Sequence, residues 1–122
     1  MVVLLAENDV GVRFTVWNLL MNDGFTILSA GDGIAALELS RNYQGTIDLL
    51  LSDMDIPLMR GLGVCQIIAA ERPGIKVLIM SGGLQGREQA HMNGWPSLQK
   101  PFTATALRQS IKALLGPTPP LP

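Results

Sequence analysis

The sequence predicts a doubly wound α/β domain, in which helices cover both faces of a parallel β-sheet. Strand patterns and helix patterns alternate five times along the chain, as they do in repeated βαβ units. Three of the strand patterns are continuous apolar runs, which is typical of strands that are buried on both faces. Two of these runs lead into carboxylates, and open α/β sheets place their reaction sites at such strand ends.

Five strands are predicted from the apolar runs and from the turn residues that follow them. They cover residues 2–6, 25–30, 48–53, 75–81 and 97–99. The right-handed crossover rule leaves few ways to connect them. Among these, the flavodoxin-like order 2-1-3-4-5 places the first and third strands side by side. We therefore expect a three-layer (βα)5 sandwich in which Glu7, Asn8 and Asp53 are neighbours.

The first two helices are predicted from their start residues and their apolar spacing. Asn8 or Asp9 can cap the first helix, because short polar side chains accept backbone N–H bonds there, and Gly24 can end it. Its apolar residues at helical spacing are Val12, Val16, Leu19 and Leu20. The second helix follows Asp32 and Gly33.

The other three helices are predicted in the same way. The third begins near Leu62 and stops before Pro73, because the residue that precedes a proline disfavours helical backbone. The fourth covers residues 85–92 and is the least apolar. The fifth begins at Thr103, a suitable N-cap. Its buried face is expected to hold Leu107, Ile111 and either Leu114 or Leu115.

Composition and charge exclude several classes of function. The chain is 48% apolar and 16% charged, which is typical of a globular domain. A net charge of −1 gives no electrostatic reason to expect binding to nucleic acid or to an anionic membrane. No apolar run approaches the roughly 20 residues of a membrane span. Cys65 is the only cysteine and no basic leader follows Met1, so we expect a cytoplasmic location.

The domain is predicted to cover residues 1–116, with a proline-rich tail or linker at 117–122. The tail reads Pro-Thr-Pro-Pro-Leu-Pro, which cannot continue a helix. It contains a P-x-x-P pattern, so a ligand for a proline-binding domain is an alternative to a plain linker.

Four short motifs stand at the ends of predicted strands. They are Glu7-Asn8-Asp9, Asp53 with Ile56-Pro57 and Gly61, Ser81, and Lys100-Pro101-Phe102. In this order and at these places they resemble the response-regulator receiver domains of two-component signalling, from Val2 to about Gly116. Each motif also has a simpler interpretation as a helix cap, a turn or a solvated lysine.

The resemblance implies a role for each matching residue. Asp53 would accept a phosphoryl group from a phosphohistidine on a histidine kinase or a histidine phosphotransfer protein. Ser81 and Lys100 would contact the phosphoryl oxygens. Glu7, Asn8, Asp53 and the backbone carbonyl of Asp55 would bind Mg²⁺. Hard oxygen ligands suit Mg²⁺, and phosphoryl transfer depends mainly on positioning and charge neutralisation.

Two positions depart from the usual pattern of the family, and two others are positions that vary within it. Asn8 replaces an aspartate that binds the metal, so we expect weak Mg²⁺ affinity unless Asp9 compensates. Ser97 stands where the family usually has an aromatic switch residue, so either Trp95 takes over that role or the usual switch with Ser81 is missing. Asp55 and Gly83 occupy positions that tune the lifetime of the phosphoryl group.

Three classes of function therefore stay open. A phosphorylated receiver would signal to a downstream protein or form a homodimer, and it would not be a turnover enzyme. A receiver-like scaffold that binds proteins without phosphorylation is favoured by Asn8 and Ser97. A phosphatase similar to the haloacid dehalogenases is suggested by Asp53-Met54-Asp55. However, the acidic pair that such enzymes need after the lysine is lacking.

Overall fold

Five parallel strands and five helices alternate along the part of the chain that the structure describes, residues 1–54 and 62–116. In this computed structural model the strands are β1 (Val2–Ala6), β2 (Thr26–Ala30), β3 (Leu49–Asp53), β4 (Lys76–Ser81) and β5 (Ser97–Gln99). The helices are α1 (Val10–Asn22), α2 (Gly33–Asn42), α3 (Gly63–Glu71), α4 (Leu84–Met92) and α5 (Ala104–Leu115). The sheet order is β2-β1-β3-β4-β5, which confirms the predicted fold.

Two apolar layers hold the helices on the sheet, because successive strand residues face opposite sides. One layer joins α2, α3 and α4 to the sheet and includes Leu4, Leu50 and Ile79. The other joins α1 and α5 and includes Leu5 and Leu51. Burial raises the pKa of the Cys65 thiol to about 11, so this cysteine is a protonated core residue at neutral pH.

Three strands begin one residue later than predicted. For β3, which begins at Leu49, the Asp48 amide donates to the Val2 carbonyl of β1, whereas for the other two a turn occupies the first predicted position. The Phe25 amide donates to the Leu20 carbonyl at the end of α1, so β2 begins one residue later than predicted. The Ile75 amide likewise donates to Arg72, and β4 begins at Lys76. Asp9 caps α1 by accepting from the Val12 amide, so the cap is Asp9 rather than Asn8.

The first helix is apolar on its outer face as well as on its buried face. Val16 and Leu20 are buried, whereas Val10, Phe14 and Met21 are exposed. Periodicity therefore predicted its buried face but not this exposed one. None of the helices in the described ranges is long and apolar enough to cross a membrane.

Arg72 connects the C-terminal end of α3 to the last turn of α2 and to the loop between α2 and β3. Its guanidinium donates to the Ser40 hydroxyl at 3.1 Å and to the Ser40 carbonyl at 2.7 Å. It also donates to the carbonyls of Tyr43 at 2.6 Å and Gly45 at 2.9 Å. These bonds fix the segment that leads into β3, and so into Asp53.

We expect R72A to lower the free energy of unfolding by about 2 kcal/mol, because four carbonyl or hydroxyl oxygens lose a charged donor. Urea denaturation followed by circular dichroism would measure the change. The matched control is R41A, because Arg41 only pairs with Glu71 on an exposed surface and should leave the midpoint nearly unchanged. Equal effects of the two substitutions would contradict this role for Arg72.

Candidate functional site

The carboxyl edge of the sheet brings the ends of four strands together. Backbone hydrogen bonds continue past the strands themselves. The Glu7 amide donates to the Ala30 carbonyl at 3.0 Å, and the Lys100 amide donates to the Ser81 carbonyl at 2.8 Å. Because these bonds extend the parallel ladder, Glu7 and Lys100 are held nearly as firmly as strand residues.

Lys100 contacts both carboxylates of the predicted site. Its Nζ atom lies 2.6 Å from Glu7 Oε1 and 3.4 Å from Asp53 Oδ1. We call these three side chains the Lys100 cluster. The Glu7 side chain is fully buried, whereas those of Asp53 and Lys100 are 15% and 23% exposed. Asp53 is therefore the carboxylate of the cluster that a reactant can reach.

Burial and neighbouring charges shift the pKa values of this cluster. Burial raises the pKa of Glu7, the Lys100 hydrogen bond opposes that effect, and the Asp53 charge adds to it. For Lys100, burial lowers the pKa, but the hydrogen bond to Glu7 and the two carboxylate charges outweigh it, so the pKa is raised. Lys100 is therefore a cation at neutral pH.

One oxygen of the cluster is suited to a cation. Glu7 Oε2 is buried and has no hydrogen-bond partner in the described part of the chain. Leaving such an oxygen without a partner is costly, and a hard cation beside it would remove that cost. Residues 1–54 and 62–116 contain no group of three or more acidic, histidine or cysteine side chains arranged for a metal. The carboxylate oxygens of Glu7 and Asp53 are of the chemistry that suits a hard cation such as Mg²⁺, which keeps several waters and needs few protein ligands.

The residues that follow Glu7 have separate roles. Asn8 is exposed directly after Glu7, where its amide oxygen is available as a neutral ligand. The Asp9 carboxylate accepts a hydrogen bond from the Val12 amide at 3.0 Å, so it is engaged in capping α1. The predicted ligand at Asp55 lies outside the described residues, as do Ile56, Pro57 and Gly61.

The Ser81 hydroxyl lies at the same sheet edge but is directed toward its own loop. Its Oγ atom donates to the Gly83 carbonyl at 2.9 Å and accepts from the Gly83 amide at 3.2 Å. Ser81 is only 4% exposed. The structure therefore joins the carboxylates and the lysine as expected, whereas the hydroxyl bonds to Gly83.

The two candidate switch positions, Ser97 and Trp95, both line an open cavity of about 700 Å³. Ser97 also lines a cavity of about 350 Å³ between α4 and β5, to which Ser81 and Arg87 contribute. Trp95 also packs against the apolar layer of α2, α3 and α4, and its amide donates to the Ala90 carbonyl. Trp95 and Ser81 do not line a common cavity among those described.

Two residues near the site were not predicted from the sequence. Arg13 donates from its guanidinium to the Glu7 carbonyl at 2.7 Å and so supports the loop that carries Glu7. Gly86 in α4 lies directly against the Ser81 hydroxyl. A glycine inside a helical pattern often has a packing reason, so Gly86 gave a usable signal, whereas Arg13 gave none.

The Lys100–Pro101 peptide bond is cis, as the sequence allowed. The next residues lead into α5, which begins after Thr103. The Thr103 hydroxyl accepts from the Ala106 amide at 3.0 Å, which confirms the predicted cap.

Comparisons with known proteins match this geometry. The family model described as the response regulator receiver domain matches residues 3–112. The sensor kinase CckA of Brucella abortus is 30% identical over an alignment of 119 residues that covers 93% of this chain. The chain spans only 12% of the length of CckA.

Solved structures share the fold across nearly the whole chain. A response regulator receiver domain from Clostridium thermocellum has a TM-score of 0.84 at 25% identity, with 93% of each chain covered. The receiver domain of a sensor histidine kinase from Pseudomonas aeruginosa has a TM-score of 0.81 at 21% identity. That comparison covers 95% of this chain and 98% of the other, whose cleft holds a magnesium ion. This chain belongs to the family of response regulator receiver domains, the signalling modules of two-component systems.

Proposed function

We propose that Asp53 is the phosphoacceptor of this receiver domain. The observation that carries the proposal is the position of Lys100, whose ammonium lies against both Asp53 and Glu7. Of these three side chains, Asp53 and Lys100 are partly exposed and Glu7 is buried. An oxygen of Asp53 attacks phosphorus, the P–N bond to the donor imidazole breaks, and the imidazole leaves with the electron pair. The Lys100 ammonium is placed to neutralise charge on the phosphoryl oxygens.

The site is proposed to work with Mg²⁺. Glu7 Oε2, Asp53, the Asn8 amide oxygen and the Asp55 carbonyl would hold the ion. Bound there, Mg²⁺ supplies positive charge for the phosphoryl oxygens. The unpartnered Glu7 oxygen supports this role, and so does the magnesium in the related receiver from Pseudomonas aeruginosa. Two carboxylates suffice because Mg²⁺ keeps several of its waters.

Ser81, Gly83 and Asp55 are proposed to control the fate of the phosphoryl group after its transfer. The Ser81 hydroxyl has to leave Gly83 before it can donate to a phosphoryl oxygen. Gly83 and Asp55 would tune the phosphoryl lifetime through the access of a hydrolytic water. Ser97 is too small to fill the space between α4 and β5, so the switch is proposed to work without an aromatic side chain at that position.

The phosphodonor is proposed to be a histidine kinase or a histidine phosphotransfer protein. The chain returns its phosphoryl group to water or to a partner without turnover of a separate substrate, so it acts as a signalling module in the cytoplasm. Output would pass to a protein target or to a second copy of the chain through the α4–β5 region. Direct nucleic-acid or membrane binding is not part of the proposal, because the net charge is only −1.

A second candidate function is a scaffold that binds proteins without phosphorylation. Asn8 favours it, because an amide brings no charge to the cation. The small Ser97 side chain also favours the scaffold, because it leaves an open cavity at the position where the family usually has an aromatic switch residue. The experiment that tests the phosphoacceptor role separates the two candidates.

We expect acetyl phosphate with Mg²⁺ to add one phosphoryl group to the wild-type chain and none to D53N. Intact-mass spectrometry would measure the adduct, and chelation of Mg²⁺ should abolish it. D48N is a matched control, because Asp48 accepts from the Val2 amide away from the cluster and should leave the adduct intact.

An adduct on D53N would place the acceptor elsewhere. The absence of any adduct on a folded wild-type chain at high Mg²⁺ would favour the scaffold.

We expect N8D to tighten Mg²⁺ binding by about tenfold, because the cation gains a charged ligand next to Glu7. Isothermal titration calorimetry would measure the dissociation constant. D9N is the matched control. It removes a neighbouring charge but retains an equally good helix cap, so affinity should change by less than about twofold. A larger effect of D9N than of N8D would show that Asp9, rather than position 8, faces the ion.

We expect the raised pKa of Glu7 to respond to its two neighbours in opposite directions. In metal-free protein D53N should lower this pKa because a like charge is removed, and K100M should raise it because the hydrogen bond is lost. Carbon-13 NMR of the Glu7 carboxyl against pH would measure both. Because the pKa of Glu7 is raised in the folded state, protonated Glu7 contributes to stability at low pH, and this contribution is lost as pH rises through that pKa. Shifts in the same direction would disprove this account of the cluster.

A further inference from the structure

The Ser81 hydroxyl is enclosed by α4 at Gly86. Gly86 is a buried residue in the first half of that helix. A β-carbon added there would overlap Ser81 Oγ, and it would come within 3.0 Å of Ser81 Cβ and of Met54 Cγ. The absence of a side chain at position 86 therefore allows α4 to lie directly on the hydroxyl.

A β-carbon at Gly31 or Gly45 would meet the outer atoms of the Arg13 or Tyr43 side chain at 2.9 or 2.8 Å, whereas several other glycines of the described chain have open space at this position. A β-carbon at Gly63, at the start of α3, would meet no atom within 4 Å. The same holds for Gly82 and Gly83 in the loop before α4. Glycine also weakens a helix relative to alanine, so its presence inside α4 calls for a compensating contact. The contacts at Gly86 are those with Ser81 and with Met54.

Open space adjoins Ser81 on both sides of this contact. On one side is the cavity of about 350 Å³ that Ser97 and Leu98 line on β5. On the other side is a cavity of about 330 Å³ that Met54 and Gln89 line. The Ser81 hydroxyl is therefore not closely packed on every side, and packing alone does not fix its orientation. It is set by its two bonds to Gly83 and by the close approach of α4.

We propose that Gly86 is a positioning residue for phosphoryl transfer, because its missing side chain lets α4 lie on the Ser81 hydroxyl while that hydroxyl is bonded to Gly83. The hydroxyl reaches the phosphoryl group only when α4 moves off Ser81. A shift of α4 away from Ser81 and the formation of the contact between Ser81 and the phosphoryl group would then occur together. This inference rests on the proposed function of Asp53 and Ser81.

The structural half of the proposal is tested in unphosphorylated, metal-free protein. In G86A the new β-carbon should displace the hydroxyl, so the Gly83 amide loses its bond to Ser81 Oγ and exchanges its proton faster. Amide exchange by NMR would measure this. G63A is the matched control, because it makes the same change in a helix where nothing is displaced. Unchanged protection of Gly83 in folded G86A would overturn the proposal.

The functional half is tested by the rate of phosphorylation with acetyl phosphate. A released hydroxyl should raise the rate of phosphorylation of G86A by about threefold or more. This is a small part of the roughly hundredfold rate enhancement that one well-placed hydrogen-bond donor can provide. In the S81A background, the same G86A substitution should leave the rate unchanged, because no hydroxyl remains to be released. An equal effect of G86A in both backgrounds would show that Gly86 acts through something other than Ser81.

Two further outcomes are informative. If the wild-type chain is not phosphorylated at all, the proposed function fails, while the Gly83 exchange still decides whether Gly86 positions the hydroxyl. If G86A does not fold, the double variant S81G/G86A tests the contact, because removal of the Ser81 side chain makes room for the new β-carbon. Recovery of the fold in that pair would support the contact, and failure to recover it would overturn the proposal.

Discussion

The ion pair between Lys100 and Glu7 is the interaction on which the site depends. Glu7 is fully buried, and in the described structure only one of its two oxygens has a partner. A buried carboxylate without a cation strongly destabilises the fold, so the Lys100 ammonium has to lie within hydrogen-bond distance of Glu7. The backbone bond from Lys100 to Ser81 and the short strand β5 achieve this. The other oxygen of Glu7, which has no hydrogen-bond partner in the described structure, is the one that the proposed Mg²⁺ would contact.

Local patterns explain why most of the fold could be predicted from the sequence. Continuous apolar runs specify buried parallel strands, and Asp32 and Thr103 cap the helices that follow them. Strand ends place Glu7, Asp53 and Lys100 at one edge once the strand order is known. Errors of one residue arose where a helix end or a turn satisfied an amide that the pattern had assigned to a strand, as at Phe25.

The rest of the site depends on distances between elements, which periodicity does not contain. The sequence placed Ser81 at the sheet edge, but the direction of its hydroxyl follows from the contact of α4 with Gly86. Arg13 reaches the Glu7 carbonyl from the second turn of α1, and nothing in its spacing distinguishes it from a solvated arginine. Such contacts are set by tertiary packing, so a single sequence predicts the residue types and not their orientation.

Charge in the Lys100 cluster decides how Asn8 affects function. Two carboxylates face one ammonium, so the cluster without a metal carries excess negative charge and repels a phosphoryl group. A bound divalent cation would make the net charge of the cluster positive, so that the cleft would attract a phosphoryl group. An aspartate at position 8 would offset part of this attraction, whereas Asn8 leaves it intact once the ion is bound. In the proposed Mg²⁺ site, Asn8 is therefore expected to weaken the affinity for Mg²⁺ and, at saturating Mg²⁺, to leave a more positive cleft around Asp53.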